Sequence, residues 1–253
     1  MLSILPWHHA HITLPDRKAG AVWYSRLGGR VGQPTPRSEN VWYSENLLQI
    51  QTEAVAGTSE GWISHLGFSN RDMGSLLTRL NLTHPVARTP VGTYLAQDPW
   101  GTPIEFIESG DDRLHHIQII CNDPGNLADW YARCLGGDVV ACPWDNARLS
   151  IAYDSITIVF AEAGYFQNSG VAASAHQPGT ARNIDHIGWY TSDLDGTAAR
   201  LRDAAVDFRV TPRKFGNIQL AFITDPTGIW IELVEPPGQV IPKETVPVPE
   251  YLG

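Results

Sequence analysis

A chain of 253 residues with 27 acidic against 18 basic side chains and a net charge of −9 has room for two ordinary domains, each with its own core. No block of clustered Lys and Arg exists to hold a phosphate backbone, which sets nucleic acid aside and leaves small molecules as the expected partners. Residues 1–7 lack the charged start and long apolar core of a secretory signal, and no apolar run approaches the ~20 residues that span a bilayer, so a cytoplasmic protein without a membrane partner is expected.

In chain order, the first expected strand carries His8, His9 and His11 and runs toward Asp16. A short helix follows, with Trp23, Tyr24 and Leu27 on its buried face and Gly28-Gly29 as its stop. Strands lead to Leu48-Gln49-Ile50-Gln51. A second unit opens with Ile63-Ser64-His65-Leu66-Gly67-Phe68, continues in a helix from Asp72 to Leu80, and closes on Asp98-Pro99-Trp100-Gly101-Thr102-Pro103-Ile104-Glu105, a tight turn followed by an alternating strand. The polar stretch Ser109 to Arg113 marks a boundary between expected domains 1–110 and 111–253.

The pattern then returns. A strand with His115 and His116 precedes a helix bearing Trp130, Tyr131 and Leu135 and ending in Gly136-Gly137, and strands run to Ser155-Ile156-Thr157-Ile158-Val159-Phe160. An Ala, Gly and Ser-rich segment from Ala161 to Asn183 joins this to Ile184-Asp185-His186-Ile187-Gly188-Trp189, a helix from Leu194 to Ala205, and strands ending in Asp225-Pro226-Thr227-Gly228-Ile229-Trp230-Ile231-Glu232. The tail from Pro236 holds five prolines and is expected to wrap a surface in extended form. Cys121, Cys134 and Cys142 lack metal-binding spacing and read as reduced thiols, Cys121 at a strand end and Cys134 on a helix.

Each of the four modules thus reads strand, helix, then about three strands. In the second half, His116, His186 and Glu232 supply two imidazoles and a carboxylate, the donor set of an open divalent-metal site. Strand alternation puts His186, Gly188 and Tyr190 on one inner face, which Trp230 and Glu232 of the last strand share, with the glycine leaving room for substrate. By the same rule His8 and His115 point away from that face, whereas His11 shares the face of His9.

The Asp-His-Ile-Gly and Asp-Pro-x-Gly-x-x-Ile-Glu segments resemble the vicinal oxygen chelate superfamily, which includes glyoxalase I, type I extradiol dioxygenases and bleomycin-binding proteins. The resemblance covers about nine-tenths of the chain. It implies an α+β fold of four βαβββ modules in two tandem domains, each a cupped mixed sheet around a central cavity, in the layout of the extradiol enzymes. Its metal positions match His116, His186 and Glu232 in the second domain, and His9, His65 and Glu105 in the first. His9 is preferred to His8 and His11 because it precedes Asp16 by the interval that separates His116 from Asp123 and His186 from Asp193.

What the resemblance implies about function is a metal-dependent enzyme that chelates two vicinal oxygens of a small organic substrate. The expected reaction is extradiol-type dioxygenase cleavage of an aromatic-derived compound with Fe(II) or Mn(II), and two other readings are alternatives to it. Zn, Ni or Co would serve a glyoxalase-like or epimerase-like lyase or isomerase, and a metal-free drug-binding protein is the third reading. Catalytic roles fall to Tyr190 and to His176, which could stand in for the acid/base His of extradiol enzymes. Trp230, Arg213 and Lys214 are the expected substrate contacts, the two cations for an anionic group. Phe222 stands where extradiol enzymes place a tyrosine hydroxyl, and it cannot donate a hydrogen bond. Glyoxalase-like sites take a fourth ligand from the end of an odd-numbered module, where module three offers no carboxylate and module one offers a glutamine. A homodimer is the expected assembly.

Overall fold

The computed structural model describes residues 4–52, 62–80, 82, 86–162, 164–165 and 183–237. His84, His176 and the tail from residue 238 lie outside them, as do residues 53–61 and nearly all of the segment between modules three and four. Among the described residues no helix is long and apolar enough to cross a membrane.

Four βαβββ modules follow one another. Module one comprises β1 (Trp7–Thr13), α1 (Arg17–Ser25), β2 (Arg30–Val31), β3 (Ser38–Tyr43) and β4 (Asn46–Gln51). Module two comprises β5 (Trp62–Asn70), α2 (Met73–Leu80), β6 (Ala87–Arg88), β7 (Tyr94–Gln97) and β8 (Pro103–Glu108). Module three holds β9 (Arg113–Cys121), α3 (Pro124–Leu135), β10 (Val140–Cys142), β11 (Asp145–Tyr153) and β12 (Ile156–Glu162). Module four holds β13 (Ile184–Tyr190), α4 (Leu194–Asp203), β14 (Phe208–Phe215), β15 (Ile218–Thr224) and β16 (Trp230–Glu235). The fold is α+β, as expected.

Local chemistry accounts for the repetition. Each first-strand His stands seven residues before an Asp whose carboxylate accepts from backbone N–H groups at the start of the next helix: Asp16 from Ala19, Asp72 from Ser75, Asp123 from Asn126 and Asp193 from Gly196. Such caps satisfy donors that the first turn leaves open and contribute about 1 kcal/mol each. The Asp-Pro-x-Gly turns are held the same way. Asp98 accepts from the backbone of Trp100 and Thr102, and Asp225 from that of Thr227 and Ile229. Each also accepts a phenol proton from the Trp-Tyr helices, Tyr24 to Asp98 at 2.9 Å and Tyr131 to Asp225 at 3.1 Å. The two repeated motifs are therefore the two halves of one buried joint. All three cysteines are buried and free, Cys134 on α3 and Cys121 at the end of β9.

The modules assemble into two eight-stranded mixed sheets, β14-β15-β16-β13-β1-β4-β3-β2 and β10-β11-β12-β9-β5-β8-β7-β6. Within a module the first strand pairs parallel to the last, and at the centre of each sheet two first strands pair antiparallel. The first sheet thus joins modules one and four through β1 and β13, and the second joins modules two and three through β5 and β9. The expected boundary at residues 110/111 falls in the short link between β8 and β9, inside the second sheet. One contiguous apolar core runs through all four modules, from Trp7 and Ile12 to Phe106, Ile158 and Leu233.

Candidate metal centre

Because β1 and β13 run antiparallel with His11 opposite His186 and His9 opposite Gly188, the imidazoles of His9 and His186 meet over the seam of the first sheet. β16 lies on the other edge of β13 with Glu232 beside Gly188. The three donor atoms converge: His9 Nε2 to His186 Nε2 is 3.1 Å, His9 Nε2 to Glu232 Oε2 is 3.3 Å, and His186 Nε2 to Glu232 Oε2 is 3.2 Å. The second sheet repeats the arrangement, with His65 Nε2 and His116 Nε2 3.3 Å apart and Glu105 Oε2 2.9 and 3.0 Å from them. The sets expected from sequence are thus each split: His116 stands with His65 and Glu105, and His9 stands with His186 and Glu232. The physical reason is that alternation fixes which face a side chain takes, while the partner of a first strand is set by its free edge, and all four first strands look alike.

The glycines beside the ligands are explained by the imidazoles. A Cβ at Gly188 would lie 2.3 Å from His9 Cε1, and one at Gly67 would lie 1.9 Å from His116 Cε1. The space expected for substrate is the space each cross-seam His occupies.

The two clusters differ in their surroundings. Behind the first, Asp185 Oδ2 accepts from His186 Nδ1 at 3.2 Å and from His11 Nδ1 at 2.8 Å. A carboxylate behind an imidazole fixes its tautomer and turns Nε2 toward the donor cluster. Burial alone would lower the His186 pKa, but its hydrogen bonds to Asp185 and Glu232 outweigh that and hold it at about 9. His9 is lowered by burial, as is His11, to about 4. Burial pushes Glu232 up, yet hydrogen bonds from His186 and His9 prevail and keep it well below the usual carboxylate range. Glu232 and His186 are thus a carboxylate and imidazolium pair, with His9 neutral.

The expected substrate contacts surround this cluster unevenly. Phe222 packs edge-on against His186 with ring centroids 5.3 Å apart, and Trp230 lies 5.6 Å from Phe222 at the rim. Arg213 pairs with Leu220, which shares a face with Phe222, so Arg213 is on the ligand side of the sheet, exposed. Lys214 pairs with Gln219, on the side of Ala221 and Ile223, and so belongs to the opposite face. Tyr190 lies against His8, centroids 4.1 Å apart. His8 was expected to point away, but the register shift between Trp7 and His9 sets its Nδ1 3.0 Å from that of His9. The pseudo-twofold that relates β1 to β13 matches Glu232, beside Gly188, with half-buried Gln49, beside His11.

The first cluster fits a divalent ion. Its donor separations are close to the ~3 Å edge of an octahedral face with bonds of ~2.1 Å, its imidazoles offer Nε2, and Glu232 keeps 12% of its side chain exposed. The second cluster has similar spacings but does not fit. Glu105 is 1% exposed, and the fully buried Arg148 places Nη1 3.0 Å from Glu105 Oε2, the same oxygen both imidazoles address. Sequence reasoning missed Arg148 and Asp185; β11 offered no cue to the first, which shares its strand face with Ser150 and Ala152 and so reads as a solvent-facing cation, whereas the cue for the second was its place inside the Asp-His-Ile-Gly motif. Among the described residues both clusters are complete within one chain.

Residues 113–233 match the family model described as the Glyoxalase/Bleomycin resistance protein/Dioxygenase superfamily. Among curated proteins, glyoxalase I of Saccharomyces cerevisiae is 24% identical over 60% of this chain and 55% of its own length, so the chain spans about half of that relative. Lactoylglutathione lyase of Pseudomonas aeruginosa is 26% identical over 48% of this chain and 81% of its own. Among solved structures, glyoxalase I from Zea mays superposes with a TM-score of 0.64 at 16% identity, covering 91% of this chain and 92% of that one. A Bacillus subtilis protein described as a putative dioxygenase gives 0.65 at 12% identity, covering 98% and 93%. At these identities the structural likenesses establish the fold.

Proposed function

We propose, from the match of residues 113–233 to the Glyoxalase/Bleomycin resistance protein/Dioxygenase superfamily, that this chain is a divalent-metal-dependent enzyme acting on two neighbouring oxygens of a small organic substrate at His9, His186 and Glu232. The observation that carries the reading is the convergence of these three donors within 3.1–3.3 Å beside a carboxylate that reaches solvent. When bound, the ion supplies Lewis-acid polarisation of the substrate oxygens. Asp185 orients His186, and His9 is held across the seam by Gly188. Arg213 anchors an anionic group of the substrate on the ligand side of the sheet.

Within this class we favour non-oxidative lyase or isomerase chemistry, with Zn, Ni, Co or Mn as the ion. The register that brings Gln49 to the position related to Glu232 supports a fourth, neutral donor, and Phe222 offers no hydroxyl beside His186 for an oxygenated intermediate. The curated relatives named glyoxalase I and lactoylglutathione lyase support the same choice. Glu232, displaced from the ion and freed of the imidazole hydrogen bonds that hold its pKa low, takes the proton from the substrate carbon. Fe(II)-dependent or Mn(II)-dependent ring cleavage of an aromatic-derived compound is the second reading, favoured by the three-donor face and the Phe222 and Trp230 rim.

Metal content of the purified chain, followed by parallel oxygen-electrode assays on catechols and isomerisation assays on a thiol adduct of a 2-oxoaldehyde, separates the readings. Turnover without oxygen uptake supports the first and oxygen uptake the second. A protein that binds no divalent ion under reconstituting conditions refutes both and leaves small-molecule sequestration. A homodimer in a cytoplasmic setting is the assembly we expect, tested by light scattering and fractionation.

A further inference from the structure

The second cluster repeats the donor set of the first without its surroundings. Arg148 on β11 donates from Nη1 to Glu105 Oε2 at 3.0 Å and to Gln118 Oε1, and its Nη2 stands 3.4 Å from Glu105 Oε1. Thr93 Oγ1 donates to Glu105 Oε1 at 2.6 Å, so both carboxylate oxygens are engaged. On the far side Arg148 Nε is 3.1 Å from Asp145 Oδ2, and the rings of Trp144 and Tyr165 flank the guanidinium at 5.8 and 5.1 Å.

We propose that the Arg148 guanidinium is a built-in cation that takes the place of the metal in the His65, Glu105 and His116 cluster, turning it into a sealed joint between modules two and three, so that each chain holds one divalent ion and not two. Four observations carry this. The oxygen that would ligate an ion, Glu105 Oε2, is the atom on which Arg148 and both imidazoles converge. A guanidinium keeps its charge throughout the range in which proteins fold, so it cannot make way by losing a proton, and a divalent ion on Glu105 Oε2 would meet a like charge 3.0 Å from that oxygen. All four imidazoles are buried, but Glu105 is 1% exposed where Glu232 keeps 12% of its side chain exposed, so the second carboxylate is closed to substrate oxygens. Behind the imidazoles stand Ser64 and His115, where the first cluster has the Asp185 carboxylate, and the position related to Glu105 in module three is Val159, which has no donor to give.

The proposal does not depend on which reaction the first cluster supports. It is tested with cobalt(II) as the probe, counted by equilibrium dialysis and visible absorption on the full chain, in the wild type, His9→Ala and Arg148→Met. One cobalt in the wild type, none in His9→Ala, and one more in Arg148→Met than in the wild type is the expected result. A cobalt retained by His9→Ala, two in the wild type, or a folded Arg148→Met that gains none would overturn it. Where Arg148→Met fails to fold by circular dichroism, the His9→Ala count decides alone. No cobalt in the wild type refutes the metal reading of the first cluster, and the gain on Arg148→Met still decides this one.

Discussion

Raising the pH of the metal-free protein from 6.5 to 9 should weaken its fold and tighten its hold on a metal, both through His186. In the folded chain this imidazole is held at about 9 against an ordinary value of 6.5: burial opposes the proton, and Asp185 and Glu232 over-compensate. A folded pKa above the unfolded one contributes stability that is fully present below the unfolded value and disappears as pH rises through the folded value. The interval corresponds to about 3 kcal/mol at about 1.4 kcal/mol per pKa unit, an order-of-magnitude figure for a coupled pair. A metal must displace the same proton. At pH 7 a group titrating near 9 reduces apparent affinity about 100-fold, so the dissociation constant should fall about tenfold per pH unit up to 9 and level off above it. Calorimetry at pH 7 in buffers of different ionisation enthalpy should report about one proton released per ion, and urea melts of the metal-free form should decline over the same interval. A metal affinity that is flat from pH 6.5 to 9 would refute the assignment of His186 as a charged partner of Glu232.

Further perturbations follow from the same contacts. Asp185→Asn removes the acceptor behind His186 Nδ1 and should weaken metal binding about 10–100-fold, read by competition with a chromogenic chelator. Glu232→Ala should weaken it more than Asp185→Asn does, and equal losses in the two variants would contradict direct ligation. Gly188→Ala puts a methyl 2.3 Å from His9 Cε1; displacing that ring should cost about 1–3 kcal/mol and abolish tight metal binding, and an unchanged melt with retained metal would refute the packing argument. Tyr131→Phe strips the buried Asp225 of a donor and should cost about 1–3 kcal/mol, measured by urea denaturation.

The module order was legible in the sequence because its signals are local. A His seven residues before a capping Asp, and an Asp-Pro-x-Gly turn before an alternating strand, report hydrogen bonds made within a few residues of each other. The six metal-type side chains were legible for the same reason, since alternation fixes their face. Which first strands pair was not. Leu66 opposite Ile117 in one sheet and Ala10 opposite Ile187 in the other are apolar contacts that many pairings would satisfy. Nor could spacing show that His9 crosses the seam to lie on Gly188, so the glycine read as an opening for substrate when it is the seat of an imidazole. Arg148 was hidden because a cation on a strand ordinarily faces water, and only the tertiary structure reveals the carboxylate that holds it.

That hidden cation clarifies why two copies of one donor set need not share a function. Each cluster buries a carboxylate against two imidazoles, and each carboxylate is kept ionised despite burial. An ionised group so placed requires a positive charge nearby. In the first cluster the charge is a proton on His186, which a divalent ion can expel while keeping the imidazole as a ligand. In the second it is the guanidinium of Arg148, with His116 lowered to about 3 by burial and carrying no charge of its own. A proton is exchangeable and a side chain is not. On the function proposed above, the same geometry yields a site that exchanges its proton for a metal on the seam of modules one and four, and a permanent ion pair on the seam of modules two and three.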